Sequence, residues 1–214
     1  MGILGNSIRG QDGPKECVPS LEGRIGEILS GRDKKILSRE GVVTAAVLVP
    51  LFRKRTGYHV LLTKRSEHVE HHKGEISFPG GKLDDTDPDL ISCALRETQE
   101  EIGVDPSDVR VLGELDDVYT FATGFLVVPF VGVIPHPYAF TANKREIAEV
   151  LAVPLHVFFD PSRKREGLWD WHGRSVRMVF YSWNGHTIWG ATARILDHFA
   201  GLFSEFPVSE GSCP

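Results

Sequence analysis

Residues 81–103 read GKLDDTDPDLISCALRETQEEIG, and the run Arg96-Glu97-Thr98-Gln99-Glu100-Glu101-Ile102-Gly103 within it decides how the chain is read. Glu97, Glu100 and Glu101 stand at i, i+3 and i+4. At about 100° per residue they share one side of a helix. Like charges at that spacing repel by a few tenths of a kcal/mol per pair. A divalent cation reverses the sign of that term, and hard carboxylate oxygens suit Mg²⁺ or Mn²⁺. The opposite side carries Ile91, Ala94, Leu95, Thr98 and Ile102, a mostly apolar stripe suited to burial. One face of this helix is expected to join a core and the other to meet metal.

Glutamate pairs on a helix are by themselves an ordinary solvated surface. The residues before them change that reading. Phe78-Pro79-Gly80-Gly81 is a turn directly after a strand-like stretch, residues 75–78. Asp84, Asp85, Asp87 and Asp89 crowd the approach to the helix, which is expected over residues 88–102. Asp87 is the expected N-cap with Pro88 at the first helical position, and Gly103 the expected stop. A glycine loop followed by a capped, acid-faced helix suggests a diphosphate site, with backbone N–H groups near phosphate and a cation on the carboxylates.

This run resembles the Nudix box, G-x5-E-x7-R-E-U-x-E-E-x-G-U, where U is apolar. Gly81, Arg96-Glu97, Glu100-Glu101 and Gly103-Val104 match it. Asp87 stands where the first glutamate belongs, with eight residues rather than seven between it and Arg96, and Thr98 replaces an apolar residue. Just upstream, Leu61-Leu62-Thr63-Lys64-Arg65-Ser66, Gly74 and Phe78-Pro79-Gly80-Gly81 are similar to the coenzyme A pyrophosphatase signature, a branch that shares the lengthened box. Glu70 stands where that signature has its second arginine, a charge reversal. Ile188-Trp189-Gly190-Ala191-Thr192-Ala193-Arg194 also looks like this branch, so the resemblance spans about residues 40–203.

The resemblance implies an α/β/α sandwich with a mixed β-sheet. It implies hydrolysis of a diphosphate by water with Mg²⁺ or Mn²⁺, on coenzyme A or an acyl-CoA. Glu97 and Glu101 are then the leading metal ligands, and Glu100 is a third ligand or a water-orienting base. The carbonyl of Gly81 completes the shell, and Arg96 fixes a box carboxylate. Glu146 and Glu149 are both candidates for the general base. Arg65, Ser66, Gly74, Phe78 and Gly80 are the expected substrate-side residues. Another diphosphate substrate (ADP-ribose, a dinucleotide or a nucleoside triphosphate) and a non-catalytic binding module of the same fold are the alternatives.

Composition agrees with a globular protein. The chain has 214 residues, 41% hydrophobic and 25% charged, enough for one domain with a full core. A net charge of −5 argues against a nucleic-acid-coating protein. Cys17, Cys93 and Cys213 are odd in number and widely spaced, which suggests a reducing compartment, and Cys93 reads as a small packed residue. No segment approaches the ~18 apolar residues of a membrane span. A cytoplasmic location is expected, and a homodimer is left open.

The organisation expected is a mobile segment 1–18, one domain over 19–205 and a tail 206–214. Within the domain, Leu21, Ile25, Ile28 and Leu29 have helical spacing. Residues 42–52, 60–64, 109–115 and 125–134 read as strands, the last with Pro129 at an edge or a bulge. Residues 146–155 have helical or turn character. Asn184-Gly185 marks a hairpin between residues 176–183 and 186–189. A C-terminal amphipathic helix is expected over residues 191–203. His68, His71 and His72 lack cysteine partners and read as surface or substrate-side residues rather than a zinc site. Trp169, Trp171, Trp183 and Trp189 read as core and hairpin packing rather than a base-stacking platform, and Lys64, Arg65 and Lys73 as surface charge near the phosphate loop, with phosphate contact as the alternative.

Overall fold

Ser20 caps the first helix, its hydroxyl accepting from the Gly23 N–H at 3.2 Å, and α1 (Leu21–Gly31) buries Leu21, Ile25 and Leu29. β1 (Val43–Lys54) and β2 (Gly57–Arg65) form an antiparallel hairpin. Two short strands follow, β3 (Ile76–Ser77) and β4 (Gly80–Lys82), then α2 (Leu90–Ile102). β5 (Arg110–Glu114), β6 (Val118–Tyr119), β7 (Phe125–Val133) and β8 (Ile147–Pro154) complete the main sheet. β9 (Lys164–Trp171), β10 (Arg174–Trp183) and β11 (His186–Ile188) make a second, three-stranded sheet before α3 (Gly190–Leu202). This computed structural model describes residues 20–67, 73–121, 123–171 and 173–204. The expectations for residues 1–18 and 206–214, for Cys17 and Cys213, and for His68, Glu70, His71 and His72 lie outside them.

The main sheet has eight strands with a central path β3-β2-β1-β7-β5. β1 and β7 run parallel while their other partners are antiparallel, so the sheet is mixed. Side chains of a strand alternate between faces. On β1, Ala46 and Leu48 pack with Cys93 and Ala94 of α2. Ala45, Val49 and Leu51 enter the larger cluster on the other face, with Ile25 of α1 and Leu196 and Phe199 of α3. Helices therefore cover both faces, which is the expected sandwich. α1, α3 and β10 share this one core, so the domain extends on both sides of the strands that carry the box. Among the described residues no helix is long and apolar enough to cross a membrane.

Three expectations change. Residues 147–154 form a strand, not a helix or turn, because they pair antiparallel with β2 from His59↔Pro154 to Arg65↔Ile147. Pro129 lies inside the sheet opposite Val47 of β1, neither at an edge nor at the bulge, which falls between Val111 and Gly113 of β5. Its carbonyl accepts from the Leu115 N–H at 2.9 Å, so its ring nitrogen points to the interval between β5 and β6. A missing donor is harmless there. Trp169 and Trp189 are 48% and 38% exposed, so they are not core residues. Trp169 sits on β9, the outer strand of the small sheet. Asn184 and Gly185 take φ values of 46° and 79°, the left-handed pair that a tight hairpin needs.

Candidate active site

The glycine loop is held against β1. Gly80 and Gly81 pair with Val47 and Ala46, and the Leu48 N–H donates to the Pro79 carbonyl at 2.9 Å. Gly80 has φ 148°, and a Cβ there would lie 2.4 Å from the Ala46 carbonyl oxygen. A Cβ on Gly81 would lie 2.4 Å from the carboxyl carbon of Glu97. The loop thus places bare backbone directly against a box glutamate.

The helix begins two residues later than expected. Asp89, not Asp87, is the N-cap, its carboxylate accepting from the Ser92 N–H at 2.8 Å. Asp87 instead grips Arg96 with both oxygens, at 2.8 Å to Nε and 2.9 Å to Nη2. That fork is the strong geometry for a guanidinium, and it holds the Asp87 carboxyl well below the usual carboxylate range. Arg96 also donates through Nη1 to Glu97 at 2.9 Å and to Glu100 at 3.3 Å. The extra box residue therefore ends in an anchor for Arg96, and Arg96 orients Glu97. Thr98, buried where an apolar residue is usual, donates to the Ala94 carbonyl at 2.6 Å and so leaves no polar group unsatisfied. Gly103 stops the helix at φ 73° and its N–H donates to the Gln99 carbonyl. Cys93 is fully buried, and burial pushes its thiol up to about 11. It is a packing residue, not a nucleophile.

The three glutamates occupy different environments. Glu101 is 3% exposed. Burial is the main cause that pushes its pKa up to about 8; the charges of Glu97 and Glu146 add to this, and Arg65 opposes it. Its Oε2 is buried and has no hydrogen-bond partner. Glu97 is half-buried, and burial raises its pKa against the pull of Arg96. The Glu100 side chain is 59% exposed and is turned toward Arg96. Among the described residues no three acidic, histidine or cysteine side chains converge as a ready-made metal cluster. The donors nonetheless fit a hard cation: all are oxygens, and Glu101 has a desolvated one with nothing to bind.

The residues expected on the substrate side belong to the end of β2, the segment after it and the glycine turn. Arg65 Nη1 lies 4.0 Å from Glu101 Oε1, and its Nε is buried without a partner. Ser66 is buried, and its N–H donates to the Glu146 carbonyl at 2.7 Å. Gly74, at φ 68°, donates its N–H to the Arg65 carbonyl and so closes the loop beyond β2. Phe78 is buried in the main core and also walls a cavity of about 350 Å³ that reaches Gly80 and Arg65.

The two candidate bases separate by face. Val150 and Ala152 of β8 pack with Ile102 of α2, whereas Leu151 and Val153 enter the core on the other side. Glu149 shares their parity, stands opposite Lys64 and so lies across the sheet from the glutamates. Glu146 lies before the strand begins, and its charge acts on both Glu97 and Glu101. Sequence alone left this pair undecided, because strand alternation is invisible in a segment read as a helix. The anchoring role of Asp87 was missed for a similar reason, since its ring of partners closes only when the loop folds back on α2.

The family model for the NUDIX domain matches residues 42–179. A relative from Yersinia pestis named "Uncharacterized Nudix hydrolase NudL" is 40% identical over 158 residues, covering 73% of this chain and 77% of its own. Its namesake in Yersinia pseudotuberculosis gives the same figures. Among solved structures, a MutT/nudix family protein from Enterococcus faecalis aligns over 87% of this chain and 75% of its own, with a TM-score of 0.50 at 15% identity. That likeness concerns the fold alone.

Proposed function

The chain belongs to the Nudix family and is a diphosphatase, and from that premise we propose that it cleaves coenzyme A or an acyl-CoA to adenosine 3′,5′-bisphosphate and the corresponding 4′-phosphopantetheine. The observation that carries this reading is the placement of the Leu61–Ser66 stretch. Its Arg65 reaches Glu101 at 4.0 Å and its Ser66 is tied to Glu146. The segments that resemble the coenzyme A signature therefore converge on the box glutamates. Glu70, a carboxylate in place of the signature arginine, favours a second reading, another nucleoside diphosphate compound such as ADP-ribose.

Glu97, Glu101 and the Gly81 carbonyl are the groups we assign to a divalent cation, Mg²⁺ or Mn²⁺, with Glu100 as a further carboxylate at the solvent side. When bound, such a cation neutralises charge on the diphosphate oxygens and lowers the pKa of a bound water. Arg96, held by Asp87, keeps the Glu97 rotamer in place. Arg65 places positive charge beside the buried Glu101 and toward the cavity. Gly80 lets the loop lie flush against β1, and Gly81 leaves room for the Glu97 carboxylate beside the backbone. Glu146 takes the proton from the attacking water. The widely spaced cysteines support a cytoplasmic setting, and a homodimer is left open.

A panel of diphosphates tests the substrate. Coenzyme A or a short acyl-CoA should exceed ADP-ribose in kcat/KM by about tenfold or more, a difference of about 1.4 kcal/mol in transition-state binding. ADP-ribose or a nucleoside triphosphate clearly ahead of coenzyme A would remove the coenzyme A assignment. A pair of variants tests the base. Glu146→Gln should lower kcat by about 10²-fold or more, the scale for losing a general base, and Glu149→Gln should stay near the parent rate. The reverse pattern would move the base to the other face of the sheet.

A further inference from the structure

We propose that Arg194 is a specificity residue of this site, binding a second phosphate group of the substrate, a monoester on the nucleoside remote from the diphosphate. The choice of nucleotide rests on the coenzyme A reading, whereas the anion site rests on the cavity itself. The cavity of about 350 Å³ begins at Gly80 and Arg65 and ends between β10 and the first turns of α3. Its walls are largely apolar, with Val127, Val176 and Met178 inside and Phe121, Trp169 and Trp189 exposed at its rim. Arg194 enters this lining from α3.

The state of that guanidinium is the decisive observation. Its Nη1 donates to the Tyr119 carbonyl at 2.9 Å, and its central carbon lies 5.8 Å from the Phe121 ring centre. Among the described residues no carboxylate pairs with it. Burial alone depresses its pKa, and no acid offsets that, including Glu75 in the same lining. Other partly buried cations differ. Arg96 has Asp87, Lys34 has Asp117, Lys164 has Asp197, and Arg65 already faces Glu101. A guanidinium withdrawn from water without an anion is costly. A phosphate arriving with the ligand removes that cost and matches the planar fork.

Two further features fix the chemistry. Thr192, two residues before Arg194, donates its hydroxyl to the Ile76 carbonyl at 3.0 Å. α3 is thereby tied to the strand that leads into the glycine loop, so Arg194 keeps a set distance from the glutamates. The aromatic rim offers faces on which a nucleobase can stack. A ligand with a flat base and a phosphate monoester satisfies both the rim and the cation. An acyl chain would fill the apolar wall but leave Arg194 unpaired. The 3′-phosphate of an adenosine 3′,5′-bisphosphate unit is the group of this class that the coenzyme A reading supplies.

The primary test is calorimetric, with turnover of coenzyme A and acyl-CoA measured beside it. Adenosine 3′,5′-bisphosphate and AMP are titrated into the full chain in the absence of divalent metal. The parent protein should bind the bisphosphate at least about tenfold more tightly than AMP. Arg194→Gln should bring that ratio close to one. Arg194→Lys keeps a charge without the fork, so it should give an intermediate ratio. It also serves if the glutamine variant does not fold. Equal affinity of the parent protein for both nucleotides would overturn the inference, as would a ratio that survives both substitutions. Coenzyme A cleaved normally with such a ratio would remove the Arg194 site and leave the coenzyme A reading intact. A bisphosphate preference lost with Arg194, in a protein that does not cleave coenzyme A, would support the site and remove that substrate. If kcat/KM instead rises steadily with acyl length and ignores the 3′-phosphate, the cavity holds the acyl arm and the inference fails.

Discussion

Replacing Glu101 by glutamine should lower kcat by about 10²-fold or more, the scale for losing one electrostatic contact to the transition state, while making the metal-free protein more stable. The side chain is 3% exposed, and its Oε2 has no partner. Its pKa in the folded state, about 8, lies above the ordinary glutamate value. Folding therefore favours the protonated form. The penalty is absent below the unfolded pKa, grows as pH rises, and is complete once pH passes the folded pKa near 8. Glutamine keeps the shape without the charge, so the variant avoids that loss. By that linkage the gain at pH 8 should be on the order of 4 kcal/mol, seen as a rise of roughly 10 °C in the Tm of a chelated sample. Glu97→Gln should share the kinetic defect. Near-parental rates in both variants would place the chemistry elsewhere, and a lower Tm for Glu101→Gln would show that its carboxylate supports the fold.

Chelation should abolish turnover, and millimolar Mg²⁺ or Mn²⁺ should restore it. The reason is the same unpaired oxygen, together with the half-buried Glu97 one helical turn away. A cation would supply the positive charge that neither Arg65 nor Arg96 brings to that oxygen: Arg65 approaches the other one, Oε1, and Arg96 is committed to Asp87, Glu97 and Glu100. Binding should register without catalysis. Metal should raise the Tm of the parent protein, because a ligand that binds only the folded state stabilises it, and should raise that of Glu101→Gln much less. Full activity in a rigorously metal-free sample would end the assignment of these glutamates as ligands. Equal metal-induced shifts in both proteins would place the ion away from Glu101.

Much of this site was legible in the chain. The presence of α2, its left-handed Gly103 stop and its apolar stripe follow from local spacing, whereas its start at Leu90 and the burial of Glu101 do not. The hairpin at Asn184-Gly185 and the helix near the C-terminus follow from short-range rules as well. Other elements were not legible. Ile147–Pro154 carries apolar residues at spacings that suit either a helix or a strand. Lys164–Trp171, charged and interrupted by Gly167, becomes a strand only by pairing with β10, where Arg177 is ion-paired to Glu166. Asp87 looked like a helix cap because it precedes a proline, yet the fork of Arg96 reaches it from nine residues ahead.

The sequence by itself determined the family, the class of reaction and the helix that bears the box, because these depend on residues within one or two turns of one another. Tertiary structure decided the rest. It put Glu146 near the glutamates and Glu149 across the sheet, because the face of a side chain depends on the register of β8 against β2 and its shift at Lys64/Arg65. It brought Arg194 from α3 to the cavity of a loop more than a hundred residues earlier in the chain, through the hydrogen bond of Thr192 to Ile76. It left Glu101 Oε2 buried and unpaired. Burial and register are properties of packed surfaces, and no local pattern of residues encodes them.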